Sequence, residues 1–304
     1  MSEQKAEKGE GTKSALRGLT RRHLLAGLGI LAGGTFGGAA YMYGVEPRRL
    51  VRSENRVVMR ALKGQAIRAV HLTDWHYSED VPLDLIEAAV DQAVEEAPDC
   101  FLLTGDYVTN RFHDPVALLP LFKKLTAVAP TYAVMGNHDG GSWAGSTYGF
   151  PSLVPMGDVL KEAGVRWLQN EVTWFEAHGS RICIAGSSDY WTDDFAPEAL
   201  YHAWKSADAR ETETICLSHN PDSKARLEII PWRLLLCGHT HGGQLIVPFT
   251  NWRPFLPIRD KRFAEGLHEW RGRQIFVNRG VGNLHGGRIN CPPELAVIDF
   301  VPAS

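Results

Sequence analysis

Residues of metal-ligand type recur along this chain where short apolar runs end: Asp74-Trp75-His76, Gly105-Asp106, Gly136-Asn137-His138-Asp139, His219 and Gly238-His239-Thr240-His241. They lie tens of residues apart, and most follow directly on a stretch that reads as a strand. Open α/β sheets form their sites where strands end. Such a sheet would collect the imidazoles of His76, His219, His239 and His241, the carboxylates of Asp74 and Asp106, and the amide of Asn137 at one edge. Nitrogen and oxygen donors in that number suit two borderline divalent ions, Mn, Fe or Zn, better than one. A lone Asp or His at a strand end is ordinarily a turn cap or a hydrogen-bonded side chain. The whole series in this order is not.

The pattern between these fragments points to an α/β fold. Residues 67–72, 100–103 and 131–135 read as strands, the second almost wholly apolar, as a strand covered on both faces is. Helices are expected over 82–96, 115–126 and 153–163, where apolar side chains recur on one side. The later half is richer in strands: a hairpin pair at 171–175 and 181–185 around His178-Gly179, then 214–217, 233–237, 266–270, 273–277 and 295–300. Two facing sheets with helices outside them are the expected architecture, in a single domain over 67–304. Asp74 and His76, two apart on the continuation of a strand, are expected to face the same way.

The N-terminal part reads differently. Residues 1–23 are polar and predominantly basic, and Thr20-Arg21-Arg22-His23 closes them. Residues 24–45 carry no charge, and 46–66, with Arg48, Arg49, Arg52, Arg56 and Arg60, reads as a basic linker. A basic region followed by an uncharged one is the layout of an export signal or membrane anchor. The Arg21-Arg22 pair at that boundary resembles a twin-arginine signal, read by the export machinery that carries folded proteins across the inner membrane. The stretch is glycine-rich, so it makes a weak spanning helix. Gly38-Ala39-Ala40 is only a mediocre cleavage site. A membrane-associated protein with its domain outside the cytoplasm is the expectation, with the cytosolic membrane face as the alternative. The formal charge of -3, from 32 basic and 35 acidic residues, gives no support for nucleic-acid binding. Cys100, Cys183, Cys216 and Cys237 sit in apolar strand-like runs and, with Cys291, read as buried free thiols rather than a disulfide framework.

On Asp74-x-His76, Gly105-Asp106, Gly136-Asn137-His138-Asp139, His219 and Gly238-His239-Thr240-His241, the chain resembles the calcineurin-like metallophosphoesterases from about Ile67 to the C-terminus. The resemblance implies a sandwich of two mixed sheets and a two-metal centre. It implies that Asp74, His76, Asp106 and His241 hold one metal, and that Asp106, Asn137, His219 and His239 hold the other, with Asp106 as the bridge. His138 is then the catalytic proton donor or phosphate contact, and Asp139 a supporting residue. Two divalent cations against two carboxylates leave a net positive centre able to hold a phosphate and an activated water, a known arrangement for attack on phosphate esters.

The departures narrow the class. Protein phosphatases of this superfamily resemble Gly-Asp-x-x-Asp-Arg-Gly, whereas this chain has Gly105-Asp106-Tyr107-Val108-Thr109-Asn110-Arg111. Thr109 replaces the aspartate that would pair with the catalytic histidine, and Asn110 replaces the phosphate-binding arginine, with Arg111 as a partial substitute. A phosphodiester, whose phosphate carries one charge, is the expected substrate, lipid-linked or sugar-nucleotide in kind. Asp74-Trp75-His76-Tyr77, Gly238-His239-Thr240-His241-Gly242-Gly243-Gln244 and Asn278-Arg279-Gly280-Val281-Gly282 resemble a bacterial subgroup of membrane-associated phosphodiesterases. More loosely, they resemble enzymes that cleave UDP-2,3-diacylglucosamine at its pyrophosphate on the cytosolic side. A phosphomonoesterase and an inactive metal-binding protein are the remaining alternatives. The segment 245–258, rich in proline and large apolar groups, reads as a loop that either covers the core or meets an acyl chain or membrane. Trp143 is read as a packing residue, with stacking on a base or sugar as the rival role.

Overall fold

The computed structural model describes residues 36–303. Its elements run β1 (Val51–Met59), β2 (Ile67–Leu72), α1 (Leu83–Glu95), β3 (Cys100–Leu103), α2 (Leu119–Thr126), β4 (Thr131–Ala133), α3 (Ser142–Ser146), α4 (Val154–Glu162) and β5 (Arg166–Trp167). There follow β6 (Glu171–Ala177), β7 (Ser180–Gly186), α5 (Pro197–Ser206), β8 (Thr214–Leu217) and β9 (Trp232–Cys237). The last three strands are β10 (Gly266–Trp270), β11 (Arg273–Val277) and β12 (Glu294–Pro302).

Two six-stranded mixed sheets result, in the orders β1-β12-β2-β3-β4-β5 and β10-β11-β9-β8-β7-β6. In the first, β2 to β5 run parallel and β12 inserts antiparallel beside β2. In the second, β7, β8, β9 and β11 are parallel, flanked by antiparallel β6 and β10. Strand alternation sorts the side chains into layers. Ile67, Ala69, Leu102, Ile184, Ile215, Leu217, Leu234 and Leu236 fill the space between the sheets. Val70, Leu72, Phe101 and Leu103 turn the other way, onto Ile86, Val90, Phe122 and Leu160 of the helices. Cys183, Ala185, Cys216, Leu235 and Cys237 form the outer face of the second sheet with Leu200 and Trp204 of α5. All five cysteines are free and buried, as their apolar settings lead one to expect.

Several local expectations change. The stretch 46–66, expected as a linker, carries β1, which pairs parallel with β12 at the sheet edge. Its arginines hid the strand: Arg52, Glu54 and Arg56 alternate outward while Val57 and Met59 turn into the core. The helix expected over 115–126 opens as a 3-10 turn, Pro115–Leu118. Pro120, without an N–H, sits in the first turn of α2, where α-helical bonding restarts. Helix α5, not anticipated, buries Leu200 and Trp204.

The chain divides into two units, Met1–Tyr41 and Met42–Ser304. Residues 1–23, with Arg21-Arg22, and 24–35 of the uncharged stretch lie outside the described residues. Among the described residues no helix is long and apolar enough to cross a membrane.

Candidate metal centre

The strands stop short of the ligand-type residues, and the backbone then turns left-handed. Asp74, His76, Asp106, His239 and His241 all have positive φ, between 50° and 69°. This corrects the expectation that Asp74 and His76 share a face by strand alternation: β2 ends at Leu72. They converge because both take the αL conformation, which costs on the order of 1 kcal/mol for each L-residue. Hydrogen bonds from neighbouring segments hold the turn. Asp74 N donates to Gly105 O at 2.8 Å, His76 N to Asp106 O at 2.9 Å, and Gly282 N to Asp74 O at 2.7 Å. The Asn278-to-Gly282 motif therefore braces the first ligand turn, and Asn278 Nδ2 ties it to His71 O at 3.0 Å.

All the candidate ligands meet in one cluster. His241 Nε2 lies 3.1 Å from His76 Nε2 and 3.3 Å from Asp74 Oδ1. His239 Nδ1 lies 3.2 Å from His219 Nε2. Asp106 Oδ2 reaches both groups, 3.4 Å from His76 Nε2 and 3.0 Å from His219 Nε2. The donor atoms of Asp74, His76 and His241 lie within 4.8 Å of one another, and so do those of Asp106, His219 and His239. Asn137 Oδ1 is buried beside Asp106 without a hydrogen-bond partner, and His239 Nε2 is likewise unpartnered.

Outer contacts orient the imidazoles. His219 Nδ1 donates to Thr104 O at 2.7 Å, which turns the Nε2 lone pair toward Asp106. Thr109 Oγ1 donates to His76 O and accepts from His76 Nδ1, both at 3.1 Å. The Thr109 carbonyl accepts from His138 Nδ1 at 2.9 Å. A backbone oxygen thus stands where the resemblance placed a carboxylate. Asp139 accepts the backbone N–H groups of Asp106, Tyr107 and Gly136 at 2.7–2.8 Å, a cradle for the turn at Asp106. Close approach explains two glycines. A Cβ on Gly136 would overlap the Asp106 carboxylate, and one on Gly238 would overlap that of Asp74.

Burial sets the charge of the cluster. It lifts the Asp74 carboxyl to about 7 and lowers His76 to about 4. It also pushes His239 and His241 well below the usual imidazole range. His219 and Asp106 go the opposite way: burial opposes their charged forms, but each stabilises the other, so the imidazole rises and the carboxyl falls. Imidazoles with free lone pairs, two buried carboxylates and orphaned polar atoms on Asn137 and His239 fit a pair of divalent cations. Arg288 is fully buried at the edge of the cluster, 3.4 Å from His241 Nδ1. The Nη2 that makes this approach also donates to the carbonyls of Arg279 and Gly282, and Nη1 donates to that of Cys291. Nothing in its sequence setting marked it.

His138 lines a cavity of about 670 Å³ over the cluster. Its ring meets Trp143 edge-on at 4.9 Å, and Trp191 meets His239 edge-on at 4.4 Å. Trp143 therefore belongs to the site wall, and Trp191 joins it without any sequence signal beyond its type. Arg111 lines a different cavity, with Phe112 and Phe150. The sequence had offered it as a phosphate contact; among the described residues no Lys or Arg lines the cavity over the cluster. Asn110 caps its own turn by accepting from Phe112 N at 3.0 Å. The loop 245–258 divides: Leu256 and Ile258 enter the core, Leu245 and Phe255 line the cavity, and Phe249 and Trp252 stand in solvent.

The model of the calcineurin-like phosphoesterases matches residues 67–243. Phosphodiesterase YaeI of Escherichia coli (strain K12) is 36% identical over 92% of this chain and 98% of its own length. The metallophosphoesterase YkuE of Bacillus subtilis (strain 168) is 30% identical over 88% of this chain and 92% of its own. UDP-2,3-diacylglucosamine pyrophosphatase LpxG of Chlamydia trachomatis serovar D is 22% identical over 76% and 83%. With the fold and the clustered donors, these matches settle the lineage: the chain belongs to the calcineurin-like phosphoesterase family.

Proposed function

We propose that this protein hydrolyses a phosphodiester with two divalent cations, Mn, Fe or Zn, held at the strand ends. The family is hydrolytic and binds dinuclear divalent metals. The observation that carries the assignment is the meeting of two donor groups at Asp106 Oδ2. Asp74, His76, Asp106 and His241 would hold one cation, and Asp106, Asn137, His219 and His239 the other. Bound there, the cations would neutralise phosphate charge and acidify a water. His138 is the proton donor: its Nδ1 is committed to the Thr109 carbonyl, which leaves Nε2 to protonate the departing oxygen as the P–O bond breaks.

A diester is preferred over a monoester because no Lys or Arg lines the cavity among the described residues. A dianionic monoester would carry a second charge with no Lys or Arg beside the cations to meet it. The name of the YaeI relative points the same way. The substrate is placed at a membrane, lipid-linked or sugar-nucleotide in kind. Arg21-Arg22 and the uncharged stretch 24–45 support export, with the domain outside the cytoplasm. The rival is a cytosolic-face enzyme cleaving a UDP-linked lipid, as the name of the LpxG relative would have it. The free cysteines favour that rival.

Chelated protein titrated with each metal should regain turnover of bis(p-nitrophenyl) phosphate in step with bound metal, and exceed its turnover of p-nitrophenyl phosphate. Full activity without metal, or a strong monoester preference, would overturn the assignment. Metal bound without turnover on diester, monoester and nucleotide panels would leave an inactive metal-binding protein. Reporter fusions after Arg60, with protease access to intact spheroplasts, decide between the two membrane faces.

A further inference from the structure

The cavity that opens from the metal cluster is apolar in a way the chemistry at its floor does not require. Asp106, Asn137, His138, His239 and His241 contribute polar atoms at one end. Met42, Tyr43, Trp143, Trp191, Leu245 and Phe255 supply much of the remainder. Of its other polar side chains His285 is exposed, while Thr240 and Gln244 are already engaged. Thr240 Oγ1 donates to Ala264 O at 2.6 Å. The Gln244 amide accepts from Leu284 N at 2.6 Å and donates to Leu284 O at 2.7 Å.

Met42 and Tyr43 are held in that wall. Arg288 N donates to Met42 O at 3.0 Å. Both side chains pack so closely on Gly287 that a Cβ there would strike them. They are also among the last residues of the uncharged stretch that begins at Leu24. The end of that stretch therefore supplies part of the wall, beside the targeting role proposed for it.

We propose that this cavity is an apolar subsite, walled in part by Met42 and Tyr43, that takes the hydrocarbon chain of an amphiphilic phosphodiester. The inference rests on the phosphodiesterase reading and names its substrate class. A ligand whose phosphate sits at the cluster must place one ester group in this cavity. A sugar or base would find few free hydrogen-bond partners along the Met42, Trp143, Trp191, Leu245 and Phe255 wall, and unmet polar groups weaken binding. A methylene chain loses nothing, and each buried methylene improves binding by up to about fourfold.

The test uses full-length, metal-loaded protein and a series of alkyl p-nitrophenyl phosphates from ethyl to octyl, kept below their aggregation concentrations, beside thymidine 5′-p-nitrophenyl phosphate. The expected kcat/KM rises by about 30-fold or more from ethyl to octyl. Tyr43→Ala and Phe255→Ser, both at exposed rim positions, should cut the octyl-over-ethyl preference about tenfold. Phe249→Ser, exposed and outside the cavity lining, should keep it. Tryptophan fluorescence gives a readout without turnover: octylphosphonate should shift the emission of Trp143 and Trp191, and ethylphosphonate should not. A flat alkyl series with full turnover of bis(p-nitrophenyl) phosphate overturns the subsite and leaves the phosphodiesterase standing. Preference for the thymidine ester over the octyl ester overturns it in favour of base stacking. No turnover of any diester removes the phosphodiesterase reading, and an unshifted emission with octylphosphonate then removes the subsite as well.

Discussion

The floor and the rim of the site are built on opposite principles. At the floor, Asp74, His76, Asp106, His239 and His241 are buried, strained into left-handed backbone and tied by hydrogen bonds from several other segments. At the rim, Tyr43 and Phe255 are large, apolar and exposed. A floor that must present donors to cations tolerates little change of position, so its geometry is over-determined. A rim that meets a substrate body needs surface character more than fixed angles, and loops supply it. On the function proposed above, the reaction depends on the first region and the choice of substrate on the second.

The comparison breaks first, if it breaks, at Asp106. Asp106→Asn keeps the shape but removes the charge shared by both donor groups, and should lower turnover by about 10³-fold or more, with bound metal lost by elemental analysis. Undiminished metal content and rate would remove the shared-carboxylate account. His138→Ala should cost about 10²-fold in kcat while the metal stays bound, since the role proposed for its side chain is proton transfer. Metal loss in that variant would make His138 a ligand. Thr109→Val should cost about tenfold, in metal affinity or rate, because it removes the hydroxyl that orients His76 but keeps the carbonyl that holds His138. An effect as large as that of His138→Ala would place Thr109 nearer the chemistry. In the exposed loop outside the cavity lining, Phe249→Ser should leave the thermal midpoint and the hydrolysis of bis(p-nitrophenyl) phosphate nearly unchanged, within about 0.5 kcal/mol. A large loss there would mean that the loop supports the floor.

Much of the floor was legible because ligand chemistry restricts residue type. Asp, His and Asn after apolar runs are hard to explain otherwise in that number, and the strands from Ile67 onward betray themselves by unbroken apolar character. The edge strand β1 was hidden because its outward positions carry Arg52, Glu54 and Arg56, so its pattern read as a charged linker. Thr109 looked like a lost catalytic partner, yet its carbonyl holds His138, since a backbone oxygen is available at any residue.

The amino-acid sequence by itself determined the candidate donor residues, the α/β order, the free buried cysteines and the uncharged N-terminal stretch, because each depends on side-chain type and local periodicity. Only the tertiary structure decided that the donors converge through left-handed turns, that Arg288 stands buried beside His241, and that Met42 and Tyr43 wall the same cavity as Trp143 and Trp191. Those facts depend on which backbone atoms approach across hundreds of residues. Such contacts are set by packing two sheets against each other, and no local stretch of sequence contains them.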